Sequence, residues 1–241
     1  HYPEAFGVTK TDRRNCESEW WDPKCWLSCE CDRDTSDPNQ KTGDNADDMF
    51  GAAGDAAAPR DPLVIDLNSI GILLTSVDNG VYFDLDNNGF AEKTAWVGPE
   101  DGFLVLDRNG NGTIDNGGEL FGDQVQLVNG SKSSSGFEAL SELDSNGDGF
   151  IDSDDASFAD LNVWVDKNQN GISEPNELFS LIELGISSIS LNYREVGGVD
   201  DETGTIVSLE SEVTFDDETA RIISEHWFKV NSRDSQDRHD Y

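Results

Sequence analysis

From position 62 onward the chain alternates short apolar runs with short acidic loops. Leu63-Val64-Ile65, Val81-Tyr82-Phe83 and Phe103-Leu104-Val105-Leu106 are compact runs of branched and aromatic residues, and they predict strands. Gly136 to Leu143 spaces its apolar residues like a short amphipathic helix. Pro175 to Leu184 predicts a second helix, with Pro near its start and Gly185 just past its end. Ile186 to Tyr193, Gly204 to Phe215 and Ala220 to Val230 alternate as antiparallel strands do. Ser131 to Gly136 predicts a solvated loop. Together these elements predict an α+β fold of short antiparallel strands and helices organised around the acidic loops.

Residues 1–60 follow another pattern. Cys16, Cys25, Cys29 and Cys31 all fall here, around Trp20-Trp21-Asp22-Pro23-Lys24-Cys25-Trp26. An even count suits two disulfides in a secreted chain, with three pairings open. A zinc site and free thiols are the alternatives, although the spacing is not a repeated C-x-x-C pair. A polar stretch from Asp32 to Asn45 and a small-residue linker, Gly51 to Pro59, follow. The boundary is placed at Asp61-Pro62, giving a Cys-containing segment with its linker (1–60) and a second module (61–241).

Charge changes the picture. The chain has 50 Asp and Glu against 16 Lys and Arg, a net charge of −34 over 241 residues. This excludes nucleic acid and anionic membrane as partners, because both require basic patches. No run approaches the roughly 18–20 apolar residues of a membrane span, so this segment predicts no membrane insertion. The start at His1 has neither an initiator Met nor a signal segment, and it predicts a mature form or a piece of something longer. Aromatic content of 9% and regular apolar clusters argue against a disordered acidic chain. The acids are clustered instead, and cations would neutralise them.

One pattern recurs four times: an acid, oxygen-bearing side chains two and four residues on, then Gly. Alternate side chains of a tight loop converge on one hard cation. Gly at the sixth place makes the turn, the seventh offers its carbonyl, and an acid near the twelfth closes the shell. The first loop offers Asp84, Asp86, Asn88, the Phe90 carbonyl and Glu92, but has Ala95 at the twelfth place. The second offers Asp107, Asn109, Asn111, Thr113, Asp115 and a late Glu119. The third offers Asp144, Asn146, Asp148, Phe150, Asp152 and Asp155. The fourth, the fullest match, offers Asp166, Asn168, Asn170, Ile172, Glu174 and Glu177. Asn-Gly and Asp-Gly also make metal-free turns, but four such loops without a matching surplus of Lys or Arg favour Ca²⁺. A fifth stretch, Asp66-Leu67-Asn68-Ser69-Ile70-Gly71, has Ile70 where a ligand should stand and predicts a turn.

These residues resemble the calcium-dependent self-processing module of bacterial RTX (repeats-in-toxin) proteins. The resemblance is carried by Asp61-Pro62-Leu63-Val64-Ile65-Asp66-Leu67, Val81 to Phe90, Trp96-Val97, Asp107 to Gly112, Glu119 to Asp123, Leu140 to Gly149 and Val163 to Ser173. It runs from about Asp61 to Tyr193, more loosely to the end, and does not cover residues 1–60. It implies that calcium folds the module and that the Asp61–Pro62 bond then breaks, with Asp61 and Pro62 as the reacting residues. The Asp61 carboxyl would close a five-membered anhydride on its own main-chain carbonyl, and the proline nitrogen would leave protonated. The new aspartyl end could then link to a lysine amine. The resemblance also implies a secreted or cell-surface setting. In the family the run after Asp-Leu continues with two acids that Asn68 and Ile70 replace here. The alternative function is a non-catalytic, calcium-stabilised structural or adhesion domain. A conventional hydrolase is disfavoured, because His1, His226 and His239 are the three histidines and none sits in a Cys or Ser motif.

Overall fold

The computed structural model describes residues 60–200 and 203–237. The four cysteines, His1, His239 and the linker before Arg60 lie outside the described residues.

The architecture is almost entirely β, which corrects the expected α+β mixture. Twelve strands form two antiparallel sheets: β1 Leu63–Ile65, β2 Val81–Phe83, β3 Phe90–Thr94, β4 Gly102–Val105, β5 Phe150–Asp152, β6 Asn162–Trp164, β7 Leu178–Ser180, β8 Ile186–Ser190, β9 Arg194–Asp200, β10 Ile206–Phe215, β11 Ala220–Trp227 and β12 Val230–Asp237. The larger sheet runs β5-β8-β10-β11-β1-β4-β6-β7, with β9 also on β10; the smaller runs β12-β3-β2. Among the described residues the α-helical part is one short helix, α1, Gly136–Ser141. Ser135 caps it by accepting the Glu138 N–H at 3.1 Å.

The predicted helix over Pro175 to Leu184 is instead β7 and one turn. Leu178 and Phe179 pair with Trp164 and Val163 on β6. The polar Ser180–Glu183 pair then closes a tight turn, with Ser180 N–H donating to the Glu183 carboxylate at 2.9 Å. The open edge of β6 offered pairing that the spacing of apolar residues could not reveal, and tertiary pairing overrode local periodicity.

The central strands are buried on both faces, which explains their unbroken apolar runs. Leu63, Ile65, Leu104 and Val163 face one core with Phe121, Phe137, Leu140 and Ile223. Val64, Phe103, Val105 and Trp164 face a second core with Phe83, Trp96 and Phe228. In that second core Trp96 and Trp164 meet edge-on with centroids 5.4 Å apart. The Asp61–Pro62 bond enters this framework at the head of β1. Arg60 bridges to Phe228 and its carbonyl accepts the Phe228 N–H at 2.8 Å. The Pro62 carbonyl accepts the His226 N–H at 3.2 Å. The bond is therefore laid into a sheet rather than left in a linker.

Candidate functional site

Asp61 is fully buried. Its Oδ1 accepts the Asp123 backbone N–H at 2.6 Å, and its Oδ2 has no hydrogen-bond partner. Gly122 lies against it: a side-chain carbon at that position would sit 3.2 Å from the Asp61 carbonyl carbon, its oxygen and Oδ1 together. Only glycine leaves the Asp61 carbonyl and carboxyl this closely backed. Glu225, opposite Leu63 in the sheet, and Asp123 place two further acids nearby. Burial first, then repulsion from Glu225 and Asp123, pushes the Asp61 carboxyl up to about 8. Burial also raises Glu225, opposed by donors from Ser208 and Gly136, at 2.7 and 2.8 Å.

Arg60, next in the chain, is the cation at this corner. Its guanidinium reaches Asp123 at 3.1 Å and Asp86 at 3.5 Å. Arg60, Gly122, Asp123 and Glu225 carry no motif of their own. Residues 119–123 belong to the run that carries the resemblance, and that run was the available signal for Gly122 and Asp123. Arg60 and Glu225 had none, since pairing of β1 with β11 is what brings Glu225 to Asp61. His226 is buried, with Nε2 2.8 Å from the Ser224 hydroxyl. That pair faces the aromatic core from inside the sheet and has no access to a substrate.

The four loops share one frame. In each, the first Asp accepts the N–H of the sixth-position glycine: Gly89 to Asp84 at 2.9 Å, Gly112 to Asp107 at 2.8 Å, Gly149 to Asp144 at 3.0 Å and Gly171 to Asp166 at 2.9 Å. All four glycines have positive φ, between 74° and 94°, which favours glycine. The fifth-position side chain accepts the seventh N–H, as in Asn88 to Phe90, Asn111 to Thr113, Asp148 to Phe150 and Asn170 to Ile172.

Closure differs between loops. Glu177 and Asp155 each fold back onto the N–H of the second loop residue, Lys167 at 2.9 Å and Ser145 at 2.7 Å. Glu119, one residue late, instead accepts the Asp115 N–H at 2.8 Å. The ninth-position acids Asp115 and Glu174 take donors from the loop asparagines: Asn109 and Asn111 to Asp115, Asn168 and Asn170 to Glu174. Asp152 of the third loop instead accepts the Asp154 N–H at 2.9 Å. In the first loop Ala95 is buried in the core, and Asp84, Asp86 and Glu92 bring carboxylate oxygens within 4.8 Å of one another. The Asp66 stretch is a turn, as expected, but built on the same frame. Gly71 N–H donates to Asp66 at 3.0 Å, and the distant Asp101 takes the Leu67 N–H at 3.3 Å, the place that Glu177 and Asp155 fill elsewhere.

The loops are not dispersed evenly. Ile114 and Ser173, each at the eighth place of its loop, join the second and fourth loops through a 2.6 Å hydrogen bond. The first loop touches the second where Asp84 bridges to Asn116. The third stands apart, leading into β5 and from there to β8. Three buried carboxylate oxygens, Asp86 Oδ1, Glu119 Oε1 and Glu177 Oε2, lack a hydrogen-bond partner, one each in the first, second and fourth loops. Burying such an atom unpaired is costly. Burial and neighbouring acids also raise Glu92, Glu119 and Glu177. Orphaned oxygens among mutually repelling carboxylates fit a hard divalent cation ringed by oxygen.

A largely β framework with an Asp-Pro bond at the head of a central strand and EF-hand-like loops between strands defines the class of module. The chain matches the SPM domain family over residues 63–229 and belongs to that family. It is also similar to the iron-regulated protein FrpA of Neisseria meningitidis serogroup C, with 51% identity over 138 residues. That stretch covers 56% of this chain and 12% of the relative, so the chain spans a small part of that protein's length.

Proposed function

We propose that this module is a calcium-dependent self-processing unit of an RTX-type protein that acts outside the cytoplasm. It breaks its own Asp61–Pro62 bond. The observation that carries the reading is the state of Asp61: buried, backed by Gly122, held through one oxygen and raised to about 8. A linker turn gives no reason to bury a carboxyl among two other acids. This one is built to hold a proton at neutral pH.

That proton balances the step. The Asp61 carboxyl oxygen bonds to the Asp61 main-chain carbonyl carbon and gives up its proton. The bond from that carbon to the Pro62 nitrogen breaks, and the nitrogen leaves carrying a proton. The products are a cyclic aspartyl anhydride and a new amino-terminal proline. Attack within one residue makes proximity the main contribution. Asp123 N–H fixes the attacking carboxyl, and Gly122 permits its approach. A lysine amine can then open the anhydride, forming an amide and freeing one carboxylate. Bound calcium supplies the positive charge that lets the loop carboxylates pack together. The acceptor is a protein lysine, and the calcium-rich exterior is the setting in which loops of this kind fill.

The test uses the full chain purified in EDTA. Millimolar calcium is added and the products are run on a denaturing gel. A new break after Asp61, absent in Asp61→Ala, is expected. An intact wild-type chain whose melting temperature still rises with calcium would sink the self-processing reading and leave a calcium-stabilised structural domain.

A further inference from the structure

Two centres that the sequence separates are joined by one side chain. The Arg60 guanidinium lies between Asp86 of the first loop, at 3.5 Å, and Asp123, at 3.1 Å. Asp123 in turn donates its N–H to Asp61 at 2.6 Å. Asp86 uses Oδ2 for Arg60, and its buried Oδ1 has no hydrogen-bond partner. Asp86 also belongs to the three-carboxylate cluster with Asp84 and Glu92. The arginine and any cation in that loop therefore draw on the same carboxylate. Arg60 is also covalently next to Asp61, and its carbonyl is tied to Phe228. Its backbone is fixed, so only the guanidinium can redistribute.

We infer that Arg60 is a positioning residue that couples occupancy of the first loop to the Asp61–Pro62 bond, because it competes with a divalent cation for Asp86. With the loop loaded, the charge of Asp86 is drawn toward the cation and the guanidinium turns to Asp123. Asp123 is then neutralised and held beside Asp61. With the loop empty, Arg60 is shared with Asp86 and its grip on Asp123 is weaker. Competition of this kind is reciprocal: whatever the cation does to Arg60, Arg60 does to the affinity of the cation. The inference rests on the self-processing reading for its consequence, but not for its test.

The test uses the full chain in an Asp61→Asn background, which keeps the oxygen that accepts the Asp123 N–H and does not cleave. Calcium is titrated against a chelating dye. Arg60→Gln should tighten one macroscopic calcium constant by roughly three- to tenfold. The gain should vanish when Asp86→Asn is also present. Below saturation of the first loop, Asp86→Asn should move the Asp123 backbone amide resonance toward its calcium-saturated position, and Arg60→Gln should abolish that movement. Asp148→Asn in the remote third loop should leave that amide in place. Unchanged calcium constants in Arg60→Gln, or an Asp123 amide indifferent to Asp86→Asn, would overturn the coupling. In the parent chain with Asp61 restored, Arg60→Gln should cleave at least about tenfold more slowly at saturating calcium. Failure of the parent itself to cleave sinks the self-processing reading alone, since the calcium constants and the amide still decide the coupling.

Discussion

At the scale of the residue, Asp61 has an unusual environment and a clear pH signature. Its folded pKa of about 8 lies above the ordinary 3.8, so the folded state holds a proton that the unfolded state has lost between those values. The stability Asp61 contributes is thus full below about pH 4 and is lost as pH rises toward 8. Asp61→Asn removes that loss. Thermal melts at pH 8 in saturating calcium, with the parent confirmed intact on a denaturing gel, should show the variant more stable by at least ~1 kcal/mol, or about 2–4 °C, with the difference closing toward pH 4. In the proposed cleavage that proton goes to the leaving proline, so the rate should fall above about pH 8. Glu225→Gln removes one repelling acid and should move that falling limb to lower pH. Gly122→Ala places a methyl 3.2 Å from the Asp61 carbonyl carbon, its oxygen and Oδ1. It should slow cleavage at least about tenfold while leaving the calcium-induced rise in melting temperature intact. A loss of both would mean that Gly122 serves folding alone.

At the scale of the element, a loop is defined by its first acid and its sixth glycine, and its exit is set by the strand it joins. The first loop runs into β3, the third into β5, and the fourth ends at β7. Pro175 near the start and Gly185 just past the end are what made a helix at Pro175 to Leu184 reasonable. Here β6 presents an open hydrogen-bonding edge, and pairing with it was stronger than the preference of Leu178-Phe179-Ser180. The fourth loop also reaches the core directly, since the Trp96 indole N–H donates to Asp166 at 2.8 Å. Filling that loop should change tryptophan emission, and Glu177→Gln should remove part of the change while weakening one calcium constant by about tenfold or more. Emission in Glu177→Gln that tracks the parent throughout a calcium titration would show that the loop is not a cation site.

At the scale of the whole molecule, the chain carries a net charge of −34, and three of its acidic loops lie against one another. The second and fourth loops are hydrogen-bonded, and the first abuts the second. Without cations these carboxylates repel, so cation binding free energy becomes folding free energy. Calorimetry in EDTA should show a weak, broad transition, with millimolar calcium raising its midpoint by more than about 10 °C and sharpening it. Magnesium at equal concentration should do far less, because it demands a near-ideal octahedral shell and dehydrates reluctantly. An equally sharp transition in EDTA would overturn this. No helix among the described residues is long and apolar enough to cross a membrane.

The four loops, the apolar runs of β1, β2 and β4, and the short helix at Gly136 were legible because each depends on residues close in the chain. A glycine six places from an acid, or an unbroken Leu63-Val64-Ile65, states its own conformation. The Asp61–Pro62 bond was singled out as a candidate, through the runs that carry the family resemblance. What surrounds that bond was not. Glu225 arrives by pairing of β1 with β11, Asp123 by the chain turning back at Gly122, and Asp101 completes the Asp66 turn from 35 residues away. The all-β architecture belongs to the same category, because strand pairing and burial are settled between elements distant in sequence. The sequence alone determined where charge and turns lie. Only the tertiary structure decided which carboxylates face one another, and so which of them keep a proton.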